Sequence, residues 1–334
     1  MSEGAQMCTD PELETLSEVL DPIACAKHLR GAFLGRWNGT GFDEVQARVL
    51  KHQVGQRCTL EIALRNESVC HFLVGKVFHD DRPDIFQAME GIQRAGFGAQ
   101  DEFSIPEPIA YLPSLHFLLQ EKVEGTVAKQ ILKAGHEKDQ TEVAKRCARW
   151  LAAFHARAPK DGPVSNPLEH LNSKSMQRCA RKVGRMSGQS GVEAAELLER
   201  LEQEATSLSP VELRAGHGSF TPGHVIVSQD RTAVFDWDWH DLADPARDVA
   251  RFLFALRRWA LLELGSIRAL DRVAEVFLES YLTAGLPLAE KNLRFFVAAR
   301  CLKSGKRVKE DDHRELAEAM LLEGFRVLEP KAAP

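Results

Sequence analysis

The chain has 334 residues, of which 44% are hydrophobic and 27% are charged. This composition is typical of a globular protein and excludes both a fibrous repeat and a chain that is disordered throughout. The formal net charge of -5 gives no general attraction to polyanions, so we expect neither nucleic acid nor a membrane surface as a partner.

Cysteine usage and the first residues bear on the cellular compartment. The seven cysteines are scattered and form no C-x-x-C pair, which argues against a disulfide framework and against a zinc knuckle. The first twenty residues include acidic residues and lack a basic segment followed by an apolar run, so they do not predict a secretory signal. No apolar stretch approaches the roughly 20 residues that a membrane span requires. We therefore expect a cytoplasmic location.

The first part of the chain is rich in predicted strands. Alternating segments between residues 46 and 78, separated by short polar turns, predict three antiparallel strands. A helix follows over residues 82–97, with Gly96 placed to end it, and two more strand-like runs end at Gly125. The predicted inner face of that helix consists of Ile85, Met89 and Ile92.

Beyond Gly125 the apolar residues recur at helical spacing. The helical pattern is interrupted only by a short β-like stretch, Val225–Asp236. In the first predicted helix the apolar face consists of Val143, Cys147, Trp150, Leu151 and Phe154. The predicted helices cover residues 142–158, 192–205, 245–264, 267–284, 289–304 and 314–327.

Four features occur in a fixed order along the chain. Lys76 lies in the third predicted strand, within FLVGKVF, and the later stretch LLQEKVEG places an apolar pair before a Gly turn. The sequence WLAAFHA, which contains Phe154 and His155, ends a predicted helix. The fourth feature is HGSFTPGH at residues 217–224, followed by VFDWDW and then by ADPARDVA at residues 243–250.

In this order the features resemble those of the aminoglycoside phosphotransferase and choline kinase-like family, from Gln46 to Phe325. The resemblance implies an α+β, two-lobed protein-kinase-like fold with a small antiparallel β lobe and a larger helical lobe. The expected organisation is an N-terminal extension over residues 1–30, which we expect to be helical, a nucleotide-binding lobe over residues 31–122 and a helical lobe over residues 123–334.

The resemblance implies that the β lobe binds ATP or GTP. In the family, a lysine on the third strand binds the α- and β-phosphates, and Lys76 holds that position here. Taken alone, this lysine fits a surface position on an edge strand better. Glu90, on the helix that follows, is the candidate ion-pair partner of the lysine. Backbone groups of a hinge at Gln120, Glu121 and Val123 are implied to hold the base.

The hairpin carries the implied chemistry. The family pattern reads H-G-D-x-x-x-x-N, then an Asp after two short strands, then G-D-P-x-x-D. His217 matches the first residue of the pattern and is a candidate catalytic residue, and Asp236 matches the Asp that binds Mg²⁺ at the β- and γ-phosphates. Asp244 suits the N-cap of the helix that follows, and Asp248, one turn later, is implied to brace the catalytic loop.

Two positions of the chemistry depart from the family pattern, because Ser219 replaces the general base and His224 replaces an Asn that ligates a second Mg²⁺. A serine hydroxyl is a poor proton acceptor near neutral pH, and imidazole suits softer metals than Mg²⁺, which makes Mn²⁺ an alternative cofactor. A general base contributes about 10²–10⁴ in rate, whereas phosphoryl transfer depends mainly on positioning and charge. If Asp236 and Asp238 share a strand face, Asp238 is a candidate substitute base or metal ligand.

Three functions remain open on the sequence. The first is transfer of the γ-phosphoryl group of ATP to an unidentified small-molecule hydroxyl acceptor. The second is a pseudokinase that binds nucleotide or a protein partner without turnover. The third is a metallohydrolase, since His and Asp together suit Zn²⁺ or Mn²⁺. Its cluster would comprise His217, His224, Asp236, Asp238, His240 and Asp241.

The sequence contains no motif that identifies the acceptor. A basic helical face argues against a cationic aminoglycoside, although a solvated helix explains the same pattern. The charged segment Lys306–Glu315 predicts a solvated loop. The basic face consists of Lys174, Arg178, Arg181, Lys182 and Arg185.

Overall fold

The structure is a computed structural model in which the chain divides into two compact units, with the division between Glu124 and Gly125. Among the described residues, no helix combines the length and the apolar character that crossing a bilayer requires. Most of the predicted loop Lys306–Glu315 lies outside those residues, as do Lys174, Lys182 and Arg185 of the basic face. The described residues are 10–32, 42–67, 69–172, 176–179, 181, 188–285, 287–304 and 314–329.

A five-stranded antiparallel sheet forms most of the first unit. Its strands are β1 (Glu44–Gln53), β2 (Arg57–Arg65), β3 (Cys70–Phe78), β5 (Pro108–Leu112) and β6 (Phe117–Glu121), and the short strand β4 (Phe103–Ser104) is not part of this sheet. The sheet has the order β1-β2-β3-β6-β5, so the meander predicted from residues 46–78 is confirmed. Gly55 turns the chain between β1 and β2 at a φ of 69°, which glycine adopts without strain.

Three helices accompany this sheet: α1 (Leu16–Leu20), α2 (Pro22–Ala32) and α3 (Pro83–Arg94). The first two pack against β1, where Leu16 and Leu29 join the buried side chains of the sheet. Helix α3 packs against β5, starts with a proline and ends before Gly96, as predicted. Its predicted inner face is buried, consisting of Ile85, Met89 and Ile92.

The second unit is mostly helical, with α4 (Ala128–Ala134), α5 (Glu137–Arg157), α6 (Pro167–Asn172), α7 (Gly188–Ala205), α8 (Ala246–Leu264), α9 (Asp271–Ala284), α10 (Glu290–Lys303) and α11 (Arg314–Leu328). The five apolar residues predicted for the first helix of this part are all buried along α5, which packs against α9. Helix α10 packs against α8 and α11. The predicted α+β fold, with a small antiparallel lobe and a larger helical lobe, is confirmed.

One predicted helix begins later than the sequence pattern indicates. The prediction covered residues 267–284, whereas α9 starts at Asp271. The hydroxyl of Ser266 accepts a hydrogen bond from the backbone N–H of Arg268, and the Ser266 carbonyl accepts one from Ala269. These bonds hold residues 266–270 in a turn, because a serine side chain competes with helical backbone bonding.

Short strands of the second unit position the segment that contains residues 217–224. They are β7 (Thr126–Val127), β8 (Arg214–Gly216), β9 (Val225–Val227), β10 (Thr232–Val234) and β11 (Asp241–Ala243). Strand β9 pairs antiparallel with both β7 and β10, and β8 pairs antiparallel with β11. The loop 217–224 therefore leaves one strand pair and enters another, and β11 leads directly into α8.

Candidate active site

The turn at the start of the loop is fixed by a carboxylate. The backbone N–H of His217 donates to Asp248 Oδ2 at 2.7 Å, and that of Gly218 donates to Asp248 Oδ1 at 3.1 Å. Gly218 has a φ of 71°, and a side chain there would overlap the carbonyl oxygen of Trp239, so only glycine fits. The implied role of Asp248 as a brace of this loop is confirmed.

The surroundings of Asp248 keep its carboxylate ionised. Burial on its own would raise the pKa of Asp248, but the neighbouring His155 and the positive charge of Arg247 outweigh burial and hold that pKa well below its usual range. The ring nitrogen Nε2 of His155 lies 3.6 Å from Asp248 Oδ2. Because a buried charge is costly unless it is compensated, this brace depends on its complete set of neighbours.

His217 is fully buried and donates from Nε2 to the carbonyl oxygen of Phe235 at 3.0 Å. Burial lowers the pKa of His217 to about 4, so the ring is neutral at pH 7 and Nδ1 is an acceptor. The ring packs against the indole of Trp237, with 4.6 Å between the ring centroids. His217 is therefore a neutral part of the core beneath the loop.

Ser219 occupies the position at which the family pattern has its general base. Its hydroxyl lies 3.0 Å from His217 Nδ1 and 3.3 Å from the carbonyl oxygen of Asp236. Its backbone N–H also donates to His217 Nδ1, at 3.2 Å. Since Nδ1 accepts and a carbonyl accepts, the Ser219 hydroxyl donates its one proton to one or the other of these groups. This geometry does not turn the serine into a proton acceptor.

Asp236 and His224, the two predicted metal ligands, lie side by side. His224 Nε2 is 3.5 Å from Asp236 Oδ2, and His224 Nδ1 donates to the carbonyl oxygen of Ser219 at 2.9 Å. Asp236 has a φ of 75°, a left-handed conformation that Asp and Asn adopt more readily than most residues. The structure thus brings together Ser219, His224 and Asp236, three residues that the sequence singled out.

The expectation for Asp238 rested on a wrong premise. A shared strand face with Asp236 requires an extended backbone, but β10 ends at Val234 and Asp236 is left-handed. Asp238 is buried, with 7% of its surface exposed, whereas the next residue, Trp239, is 69% exposed. The alternation rule therefore does not apply after Val234, and the structure gives no support for Asp238 as a substitute base.

The predicted nucleotide residues lie in the first unit. Lys76 is on β3, opposite Thr59 of β2 and Leu118 of β6, and it is buried with 4% exposure. It therefore does not occupy the exposed edge position that this residue would suit when taken alone. Glu90 is half-buried on α3.

Strand β6 contains two of the three predicted hinge residues. Gln120 and Glu121 end this strand, and the backbone N–H of Glu121 donates to the carbonyl oxygen of Glu107 at 2.8 Å. That N–H group is part of the pairing with the neighbouring chain segment. Val123 follows the strand and is half-buried.

The metallohydrolase cluster does not assemble. Within the described part of the chain, no group of three or more His, Cys, Asp or Glu side chains is arranged to hold a metal ion. Asp241 forms a bidentate pair with Arg247, and His240 donates from Nδ1 to the carbonyl oxygen of Trp237. These two residues of the cluster have structural partners, so the geometry does not support that alternative.

Several residues that shape the site carry no signal in the sequence. Asn292 on α10 donates to Asp244 Oδ2 at 2.7 Å and also exchanges hydrogen bonds with the backbone of Ser209. Asp244 in turn accepts from the N–H of Ala246, the first residue of α8, although Pro245 and not Asp244 holds the N-cap position. Arg146 on α5 donates to the carbonyl oxygens of two residues in the β9–β10 turn. Asn292 and Arg146 are 48 to 85 residues away in the chain from the residues that they bind, so local patterns cannot reveal these contacts.

Comparisons with known proteins agree with this geometry. The model of the phosphotransferase enzyme family (APH) matches residues 78–291, more than half of the chain, and starts two residues after Lys76. No curated protein sequence matches the chain significantly. Since the family match covers most of the helical unit, it includes the whole loop and the Asp236 region.

Solved structures with the same fold have low sequence identity. A choline/ethanolamine kinase family protein from Mesorhizobium loti has a TM-score of 0.59 and 12% identity, over 92% of this chain and 94% of that one. Choline kinase from Cryptosporidium parvum Iowa II has a TM-score of 0.60 and 11% identity, over 91% and 94%. A thermostable mutant of aminoglycoside phosphotransferase APH(4)-Ia, in ternary complex with ADP and hygromycin B, has a TM-score of 0.60 and 16% identity, over 88% and 97%. The predicted resemblance is confirmed, and this chain belongs to the phosphotransferase enzyme family.

Proposed function

We propose that this phosphotransferase transfers the γ-phosphoryl group of ATP to a hydroxyl group of a small molecule. The observation that carries the proposal is the convergence of three groups on one braced loop. The His224 imidazole lies 3.5 Å from the Asp236 carboxylate and donates to the backbone carbonyl oxygen of Ser219 at 2.9 Å, and the Ser219 hydroxyl lies 3.3 Å from the backbone carbonyl oxygen of Asp236. Two hydrogen bonds to Asp248 hold the same loop from behind. Nucleotide binding is further supported by the ADP complex of APH(4)-Ia.

We call the side of the loop with Ser219, His224 and Asp236 its front, and the side held by Asp248 its rear. The side chains of His224 and Asp236 at the front fit a divalent cation. A carboxylate oxygen is the donor that Mg²⁺ prefers, and an imidazole nitrogen next to it extends the fit to transition metals. Asp236 and His224 would hold the ion, which when bound neutralises charge on the phosphates of the nucleotide. Lys76 is proposed to contact the α- and β-phosphates. Glu90 is proposed as its ion-pair partner, and residues 120–123 are proposed to bind the adenine ring.

The reaction needs no carboxylate base in this proposal. The acceptor oxygen attacks the γ-phosphorus as the bond to the β-phosphate oxygen breaks, and ADP leaves. In a loose transition state the attacking hydroxyl has lost little of its proton, so the proton passes late to a transferred phosphoryl oxygen. Without a general base the rate is lower by about 10²–10⁴. The hydroxyl of Ser219 is suited to donate a hydrogen bond, not to remove a proton.

The test is metal-dependent stabilisation by nucleotide. We expect ATP with Mg²⁺ or Mn²⁺ to raise the melting temperature of the wild type, since a ligand at 100 times its Kd stabilises a protein by about 2.7 kcal/mol. Asp236→Asn should abolish the shift and tolerate the positive φ, which alanine would not. The matched control is Asp230→Asn, an exposed aspartate in the turn between β9 and β10. If no nucleotide shifts the wild type, the proposal is wrong.

Ser219 itself favours a second candidate, a pseudokinase that binds nucleotide without turnover. Its hydroxyl is engaged as a donor to His217 or Asp236, so it supplies no base in the loop. This candidate predicts the same metal-dependent stabilisation, with no ADP formation in the presence of a panel of sugar, amino-alcohol and nucleoside acceptors. ADP formation that requires one acceptor and is lost in Asp236→Asn would exclude it.

A further inference from the structure

The orientation of the His224 ring is fixed from one side. Nδ1 lies 2.9 Å from the carbonyl oxygen of Ser219, and a carbonyl only accepts, so Nδ1 carries the proton and donates it. The ring is also packed between two others, with centroid distances of 5.9 Å to His217 and 5.7 Å to Phe235. A hydrogen bond from one ring nitrogen to a backbone carbonyl is the usual way in which a metal-binding histidine is oriented.

The second ring nitrogen faces a carboxylate at a distance longer than a direct hydrogen bond. His224 Nε2 and Asp236 Oδ2 are 3.5 Å apart, whereas a charge-assisted hydrogen bond between such groups is about 2.7–2.9 Å long. Two ligands about 2.1 Å from one ion are about 3.0 Å apart at a right angle and about 3.4 Å apart at the tetrahedral angle. The observed separation is close to that of two tetrahedral ligands and is about 0.5 Å longer than that of two adjacent octahedral ligands, so the two groups would move about 0.5 Å closer to bind an octahedral ion.

The two donors differ in chemical preference. A carboxylate binds Mg²⁺ and Mn²⁺ alike, but imidazole nitrogen favours transition metals and is a poor ligand for Mg²⁺. Nucleotide phosphates would supply further oxygen ligands to the same ion. Mn²⁺ accepts all of these donors in an octahedral arrangement, whereas Mg²⁺ gains little from the nitrogen.

We propose that His224 makes this site selective for Mn²⁺ over Mg²⁺ by supplying a nitrogen ligand next to the carboxylate of Asp236. The inference rests on the proposed function, since nucleotide phosphates complete the coordination of the ion. His224 is then the residue that sets the metal preference, and Asp236 is required for either metal.

The binding experiment compares affinities for the two metals in the presence of AMP-PNP. Isothermal titration with MnCl₂ or MgCl₂ is carried out on the wild type, on His224→Asn and on His240→Asn. We expect the ratio of Mn²⁺ to Mg²⁺ affinity to fall about tenfold in His224→Asn, mainly through weaker Mn²⁺ binding, and to stay unchanged in His240→Asn. His240 is a matched control because its Nδ1 also donates to a backbone carbonyl, that of Trp237, at 3.0 Å.

A spectroscopic measurement on the wild type does not depend on whether a variant folds. Electron spin echo modulation of the Mn²⁺ and AMP-PNP complex should show a directly bound ¹⁴N nucleus, replaced by ¹⁵N when the histidines are labelled. Absence of a bound nitrogen overturns the inference, and so does a ratio of Mn²⁺ to Mg²⁺ affinity that is unchanged in His224→Asn. If AMP-PNP still binds with Mg²⁺, the proposed function stands in either case. If AMP-PNP binds with neither metal, both are wrong.

Discussion

The two sides of the loop 217–224 differ in how closely they keep to the pattern of the family. Behind the loop, Asp248 accepts from two backbone N–H groups, and His217 is buried as a neutral ring. At the front, Ser219 and His224 replace the residues of the family pattern. The rear side keeps His217, Gly218, Asp244 and Asp248 of the pattern, although Ala243 replaces its glycine, whereas the front side departs from the pattern at two positions of the chemistry.

This difference follows from what each side requires. A buried carboxylate that accepts two backbone hydrogen bonds cannot be replaced without leaving polar groups unsatisfied, so the rear side tolerates little change. At the front, His224 and Asp236 are partly exposed, and the buried Ser219 takes part only through a hydroxyl that donates, so replacement of these residues alters reactivity more than folding. We therefore expect substitutions behind the loop to lower stability strongly and substitutions at its front to leave stability nearly unchanged.

The largest expected effect comes from Asp248→Asn. The amide offers one oxygen where the carboxylate offers two, and its NH₂ group faces a backbone donor, so a buried N–H loses its acceptor. His155 and Arg247 also lose the charge that they face. We expect the free energy of unfolding to fall by about 3–5 kcal/mol in urea denaturation.

The matched control is Asp230→Asn, which changes an exposed carboxylate in the same isosteric way. A substitution of this kind at the surface should alter the free energy of unfolding by less than about 0.5 kcal/mol. If Asp248→Asn and Asp230→Asn lower the free energy of unfolding by the same small amount, the hydrogen bonds to Asp248 do not make the rear of the loop more sensitive to substitution than the surface.

A pH titration of stability tests the neutral state of His217. Its pKa is about 4 in the folded protein and 6.5 in the unfolded chain, so between these values only the unfolded chain binds the proton. Stability is therefore complete above pH 6.5 and falls as the pH decreases toward 4. Because of this residue, we expect the free energy of unfolding to fall by about 2 kcal/mol between pH 7 and pH 5.

The comparison variant for the titration is His217→Gln, whose side-chain amide can still donate to the carbonyl of Phe235. It removes the titrating group, so its free energy of unfolding should depend less on pH over the same interval, whatever its value at pH 7. Equal slopes for the wild type and the variant would mean that the pKa of His217 is the same in the folded protein as in the unfolded chain.

Local patterns predicted much of the fold correctly. Alternation identified β1, β2 and β3 because each strand has one buried face, and helical spacing identified the buried face of α5 because that helix packs against α9. The order of motifs led to the correct family because it places His217 and Asp236 around one hairpin. These features depend on residues that are close together in the chain.

Parts of the site were out of reach of the same reasoning. Asp238 was placed beside Asp236 by strand alternation, but the left-handed backbone of Asp236 ends that alternation, and no residue pattern marks this conformation for an aspartate. The bond between Asn292 and Asp244 joins residues 48 positions apart. Such a contact depends on how α10 packs against α8, which only the folded structure defines.

The smallest effect is expected at the front of the loop, from Ser219→Ala. Removing the hydroxyl eliminates its bond to His217 Nδ1, but the backbone N–H of residue 219 still donates to that nitrogen at 3.2 Å. His217 Nδ1 therefore keeps a donor, and the loss is limited to one hydrogen bond of about 0.5–1.5 kcal/mol. We expect a decrease near the lower end of that range in urea denaturation, measured beside Asp248→Asn. A loss as large as that of Asp248→Asn would mean that Ser219 belongs to the structural side of the loop, and the division between a fixed rear and a variable front would be wrong.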